Sequence, residues 1–161
     1  MLDKETLILK LNKIIYVAKI HLDRMNTAFN FIKPSLPVTE SNYIMMSNEQ
    51  VAYIDQFIFR FAKLQDLIGQ NLFKIILLLE EEDIRNYSFR DLINKIEQFG
   101  IIESYEKWFK LREIRNDVSH EYPVADEEAI IALNQLFNNK NQLEIVLGSC
   151  ISFLKSKNHL K

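Results

Sequence analysis

Three prolines and three glycines are all that punctuate 161 residues, at Pro34, Pro37, Pro123, Gly69, Gly100 and Gly148. A strand-and-turn fold needs such residues every few positions, whereas helices need them only at their ends. The long intervals between them are therefore free to run as helix. Apolar periodicity agrees: Leu7, Leu11, Ile14, Ile15 and Ala18 recur at three- and four-residue steps, predicting a first helix over about Lys4–Ile32. Pro34 and Pro37, in "KPSLPVTESN", end it. Ser47 with Gln50 three residues on has the form of a capping box and opens a second helix to about Leu79. Gly69 sits inside that helix, where another backbone is expected to come close. Ser88 with Asp91 caps a short helix to about Phe99, ended by Gly100. Ser104 opens a fourth helix to about His120, stopped by Pro123, and Asp126 caps a last one running through "EEAIIALNQLFNNKNQLEIVLGSCISFLKS". The expected fold class is all-α, an up-and-down helical bundle of four to five helices. A single domain over 1–161 is expected, with an inserted loop at about 33–46 whose Tyr43, Met45 and Met46 pack back on the bundle.

Charge and cysteine usage narrow the classes of function. Twenty Lys and Arg against 22 Asp and Glu leave a formal net charge of −2. A general nucleic-acid coat would be basic overall, so any RNA contact must rest on a local patch. Hydrophobic residues at 48% and charged residues at 26% are the balance of a chain that buries a core and not of a disordered one. The single Cys150 excludes an intrachain disulfide and a cysteine-based zinc site, and no metal is expected. The longest apolar run, Ile75–Leu79, is far below spanning length, and no basic-then-apolar leader opens the chain. A cytoplasmic protein with no membrane association is expected.

The densest polar stretch is "LREIRNDVSHEYP", Leu111–Pro123. On a helix advancing about 100° per residue, Leu111, Ile114 and Val118 share a narrow apolar stripe. Arg112, Arg115, Asn116 and Ser119 fall on a separate flank, with His120 at its border. Two arginines one turn apart repel by a few tenths of a kcal/mol, which suits an anion held between or above them. Tyr122 precedes a proline and is pushed into extended backbone beyond the helix end. An arginine, a histidine and an asparagine are a minimal kit for cleaving RNA without a metal. The ribose 2′-hydroxyl is the built-in nucleophile, histidine moves the proton, and arginine stabilises charge on the phosphoryl oxygens. One histidine is half of an acid/base pair, so a two-fold dimer presenting two copies across one cleft would complete it. Spacing alone leaves plainer readings open. A histidine at a helix end also serves as a cap, and arginines on a flank are commonly solvated or paired with carboxylates such as Glu106 or Glu113.

"RNDVSHEY", Arg115–Tyr122, late in a short helical chain, resembles the Arg-x4-His-x-Tyr signature of HepT toxins, within the HEPN superfamily. The phrase "RFAKLQDLIG", Arg60–Gly69, is similar to the second HEPN helix, where an Arg-Phe pair and an Asp recur. The resemblance implies a metal-independent endoribonuclease toxin of a type VII-like toxin–antitoxin system, working without a cofactor as a homodimer on an RNA substrate. It implies Arg115 and His120 as the catalytic pair and Asn116 as the motif's polar position. Arg112, Ser119 and Asp66 are supporting candidates, Asp66 either orienting the site or pairing with Arg60 or Lys63. The implied partner is a minimal nucleotidyltransferase antitoxin, MntA-like, which would silence the toxin by transferring AMP to Tyr122. The segment "FIKPSLPVTESNYIMM" is longer than the pattern needs. The alternatives are a non-catalytic accessory subunit of such a nucleotidyltransferase, and a scaffold bundle without chemistry.

Overall fold

The computed structural model of the chain describes residues 2–161. It is an all-α bundle, and no strand occurs among the described residues. The first helix, α1 (Lys4–Ile32), starts where the Asp3 carboxylate accepts from the Thr6 amide, and ends in a 3₁₀ turn at Lys33–Ser35 that carries Pro34. A short helix α2 (Glu40–Ile44) follows, then α3 (Asn48–Asp66), opened by the reciprocal Ser47–Gln50 cap. The chain stays helical through a π-helical stretch at Leu67–Leu72 into α4 (Phe73–Leu79), so the expected second helix is one rod with a widened turn inside it. Next come α5 (Phe89–Gln98) with its Ser88–Asp91 cap, α6 (Tyr105–Glu121) capped by Ser104, α7 (Glu127–Asn138) capped by Asp126, and α8 (Lys140–Ser156).

Two local features differ from the sequence expectation. The last helix is not one run: it breaks at Asn139, whose amide and side chain both turn back onto carbonyls of α7, including that of Gln135. A side chain that bonds its own preceding turn competes with the helical ladder, which is why the "NNKN" run is a corner. Gly69 is approached by a ring and not by backbone, since an added Cβ would lie 3.0 Å from Cζ2 of Trp108. The π stretch and the glycine together open the space that the α6 indole fills.

Three rods set the geometry of the site. α1 and α3 run antiparallel, as the His21–Arg60 contact near one end and the Phe31–Tyr53 stack, centroids 4.2 Å apart, near the other require. α3 and α6 are antiparallel too, with Asp66 opposite Arg115 and Asp55 opposite Tyr122. The core between them is aromatic: Phe57, Phe61 and Phe73 are fully buried, and Phe57 packs on Phe137 at 4.9 Å. Each such side chain contributes about 1.5–3 kcal/mol of burial. Segment 33–46 folds back as expected for Tyr43 and Met46, while Met45 projects into solvent. Its anchor is Val38, whose amide donates to Asn134 Oδ1 at 2.9 Å and whose carbonyl accepts from Asn134 Nδ2 at 2.8 Å. Among the described residues no helix is long and apolar enough to cross a membrane.

Candidate active site on the α3–α6 face

The stripe Leu111, Ile114 and Val118 is buried as its spacing requires, and Trp108 continues it one turn earlier at 2% exposure. This fixes the rotation of α6 and turns its polar flank toward the exposed edge of α3. Arg115 reaches across to Asp66, its Nη1 lying 3.3 and 3.4 Å from the two carboxylate oxygens. The guanidinium is the more enclosed partner, and its Nε is buried without a hydrogen-bond partner. Asp66 therefore serves Arg115, and neither Arg60 nor Lys63. Nor do the α6 carboxylates hold the arginines, for Glu113 pairs with Lys110 at 3.6 Å.

Arg112 leaves the flank and lies over the Phe89 ring, 4.3 Å from its centroid, with Phe109 at 5.7 Å. A cation on a ring face keeps its charge while its stem is ordered. Arg112 also lines a narrow crevice of about 20 Å³ with Gln65, Asp66, Gly69, Phe89 and Trp108. Ser119 donates to the Arg115 carbonyl at 3.0 Å, which engages its hydroxyl with the helix itself. Asn116 and His120 are exposed, and no hydrogen bond or ion pair joins either to Arg115. The structure thus brings Arg115 and Asp66 together, and leaves the imidazole on the surface at the helix end.

Tyr122 caps α6 in extended backbone, ψ 143°, and its ring turns back onto the bundle instead of out into solvent. Its hydroxyl donates to Asp55 Oδ1, and its ring meets Tyr43 edge-on at 6.4 Å. Burial first, then the bonds to Asp55 and Tyr43, push the phenol's pKa well above the tyrosine range, so the hydroxyl stays protonated. Asp55 and Tyr43 are absent from the motif reading. Asp55 was findable: it precedes Asp66 by eleven positions, which returns to within about 20° on a helix, so both carboxylates face α6. The α3–α6 face is bracketed by two cross-helix pairs, Arg115–Asp66 and Tyr122–Asp55, and Asn116 and His120 lie between them along the sequence of α6.

A cavity of about 420 Å³ lies elsewhere, between the start of α6 and α8, lined by residues such as Ile102, Lys107, Leu111, Asn139 and Ile145. It contains none of the motif residues Arg115 to Tyr122. Among the described residues no three His, Cys, Asp or Glu side chains converge as a metal-binding set. Cys150 is buried and burial pushes its thiol pKa up, so it is an inert core residue.

The chain is similar to a probable ribonuclease HepT of Haemophilus influenzae, at 34% identity over 55 residues. That stretch covers 34% of this chain and 36% of the Haemophilus protein, about a third of its length. No family model matches the chain, and no solved structure matches it.

Proposed function

We propose that the chain is a ribonuclease of the HepT type, cleaving RNA by transesterification through its own 2′-hydroxyl. The observation that carries this reading is Arg115, held on the α3–α6 face by Asp66, with its α6 neighbours Asn116 and His120 exposed. His120 takes the 2′-proton or returns one to the leaving 5′-oxygen, and Arg115 stabilises the charge that builds on the phosphoryl oxygens. Asp66 orients the guanidinium and offsets part of its charge, so the pair presents a directed donor fork and not a mobile cation. One subunit supplies one imidazole, and a homodimer with facing motifs supplies both halves of the proton transfer. The partial likeness to a probable ribonuclease HepT supports the substrate class.

Regulation belongs to Tyr122. Attack of its oxygen on the α-phosphorus of ATP, delivered by an MntA-like nucleotidyltransferase, forms a tyrosyl phosphodiester and releases pyrophosphate. The phenolic proton is lost in that step, so the donation to Asp55 ends and a new negative charge faces the Asp55 carboxylate. The modified ring has to leave Asp55, carrying the adenylyl group toward the arginines where an RNA phosphate would lie.

The test is cleavage of a transcript by the purified chain in the presence of a chelator. His120→Ala and Arg115→Ala are expected to lower the rate at least a hundredfold with the helical circular-dichroism spectrum unchanged. Undiminished cleavage by His120→Ala, or none by the wild type, would overturn the reading. A +AMP mass shift that maps to Tyr122 and vanishes in Tyr122→Phe tests the regulatory half.

A further inference from the structure

The exposed edge of α3 carries a second group of residues. Arg60, Lys63 and Asp66 succeed one another at three-residue steps, and such a row slants across a helix by about 60° per step. Its two ends meet different neighbours: Arg60 touches His21 of α1, its Nη1 3.0 Å from Nδ1, and Asp66 touches Arg115 of α6. The row therefore runs from the α1 side to the motif, with Lys63 exposed in the middle and Arg24 exposed on α1 one turn beyond His21.

This cluster is electrostatically uncompensated. Among the described residues no carboxylate forms an ion pair with Arg24, Arg60 or Lys63, since the nearby Asp66 is taken by Arg115. All three cations act on His21, which burial and then Arg60, Lys63 and Arg24 hold neutral by lowering its pKa. Arg60 in turn has a buried Nε with no partner. Arg60 bonds His21, but among the described residues no ion pair accounts for three like charges gathered on one face. Beside them stands Phe59, 51% exposed, with Arg60 at 5.1 Å and Lys63 at 5.6 Å from its centroid. An open aromatic among unpaired cations is the pairing that binds single-stranded nucleic acid, the ring stacking a base and the cations tracking phosphates.

We propose that Phe59, Arg60 and Lys63 of α3, with Arg24 of α1, form a binding site for single-stranded RNA that leads the strand to Arg115. Resting on the ribonuclease reading, it names the form of the substrate, unpaired strand, and the path by which it arrives. Phosphates lie on Arg24, Arg60 and Lys63, one base stacks on Phe59, and the next linkage reaches Arg115. A duplex, with its bases already stacked on one another, has nothing to offer Phe59.

The test is fluorescence anisotropy with a labelled oligouridylate of about 20 nucleotides, using the full chain with His120→Ala so that the strand stays whole. Arg24→Gln with Lys63→Gln, both at exposed positions, is expected to weaken binding about tenfold. The slope of log affinity against log salt should fall by about 1.4, two phosphate contacts. Phe59→Ala is expected to weaken binding about tenfold with the slope unchanged, because stacking releases no counterions. Unchanged affinity and slope in the double variant would overturn the proposal, as would absence of RNA binding. Equal affinity for a matched duplex would do the same. Displacement of the RNA by poly-L-glutamate at equal charge would make the strip a site for acidic proteins instead. Loss of a dimer in Phe59→Ala, with affinity per dimer kept, would make it a subunit contact. Wild-type cleavage measured alongside separates the two readings. Cleavage with an unaltered double variant removes only the strip, and binding through the strip without cleavage removes only the ribonuclease.

Discussion

At the scale of single residues, His21 links the basic strip to stability. Burial acts on it first, and the charges that act on it are cationic: Arg60 and Lys63 from α3 and Arg24 on its own helix. Its pKa in the folded chain lies below the ordinary 6.5, so the unfolded chain takes up a proton first as pH falls. The sign follows from linkage: the contribution is fully present above about pH 6.5 and is lost as pH falls through the folded value. Urea midpoints should therefore drop as pH falls below about 6.5. His21→Gln, whose amide oxygen still accepts from Arg60, should flatten that drop. A variant as pH-sensitive as the wild type would show that other groups carry the slope. His21 also marks a limit of reading the sequence. Arg115, Asn116 and His120 are legible because six consecutive positions carry the pattern, and Asp66 because it sits in a helix phrase. His21 and Arg60 are 39 positions apart and Asp55 and Tyr122 are 67 apart, and only the packing of rods makes them neighbours.

At the scale of elements, the caps are where sequence and structure agree most closely. Ser47, Ser88, Ser104 and Asp126 all accept from the amide three residues on, because a cap is a local hydrogen bond that needs no tertiary information. The π-helical turn at Leu67–Leu72 and the corner at Asn139 were not legible in the same way. The first depends on the volume of the Trp108 ring lying against Gly69, and the second on a side chain choosing its own preceding turn over the next one. The first yields a prediction. Gly69→Ala gains about 1 kcal/mol of helix propensity, yet its methyl would stand 3.0 Å from an indole that is itself packed on Phe73 at 5.0 Å. Overpacking of that kind costs about 1–3 kcal/mol, so the balance should be destabilising. Trp108 is the sole tryptophan, which makes its fluorescence a direct probe of the same site. A lower urea midpoint with a shifted Trp108 emission is expected. A midpoint raised by the full propensity gain would mean that the ring yields without cost.

At the scale of the whole molecule, the proposed ribonuclease activity raises the question of how a chain of net charge −2 would engage a polyanion and complete its chemistry with one motif imidazole. Charge is distributed unevenly: acidic residues gather in stretches such as Glu80–Asp83, while the α3 edge holds cations without acidic partners. The proposed RNA binding would therefore depend on orientation and not on overall attraction. The proposed chemistry calls for assembly, because acid and base must act on opposite oxygens of one phosphodiester and each chain offers His120 alone within its motif. If both imidazoles of a dimer act together, mixing wild type with a ninefold excess of His120→Ala chains and allowing exchange places nearly every wild-type chain opposite an inactive one. Cleavage per wild-type chain should then fall about tenfold. If a single chain suffices, the excess dilutes nothing and the rate per wild-type chain is unchanged. The same mixture with Tyr122→Phe chains in place of His120→Ala separates assembly from chemistry. Those chains keep the imidazole and lose only the phenolic hydroxyl with its bonds to Asp55 and Tyr43, so the rate per total chain should hold. A fall in both mixtures would place the effect in assembly, with Tyr122 shaping the contact between subunits, and not in the sharing of two histidines.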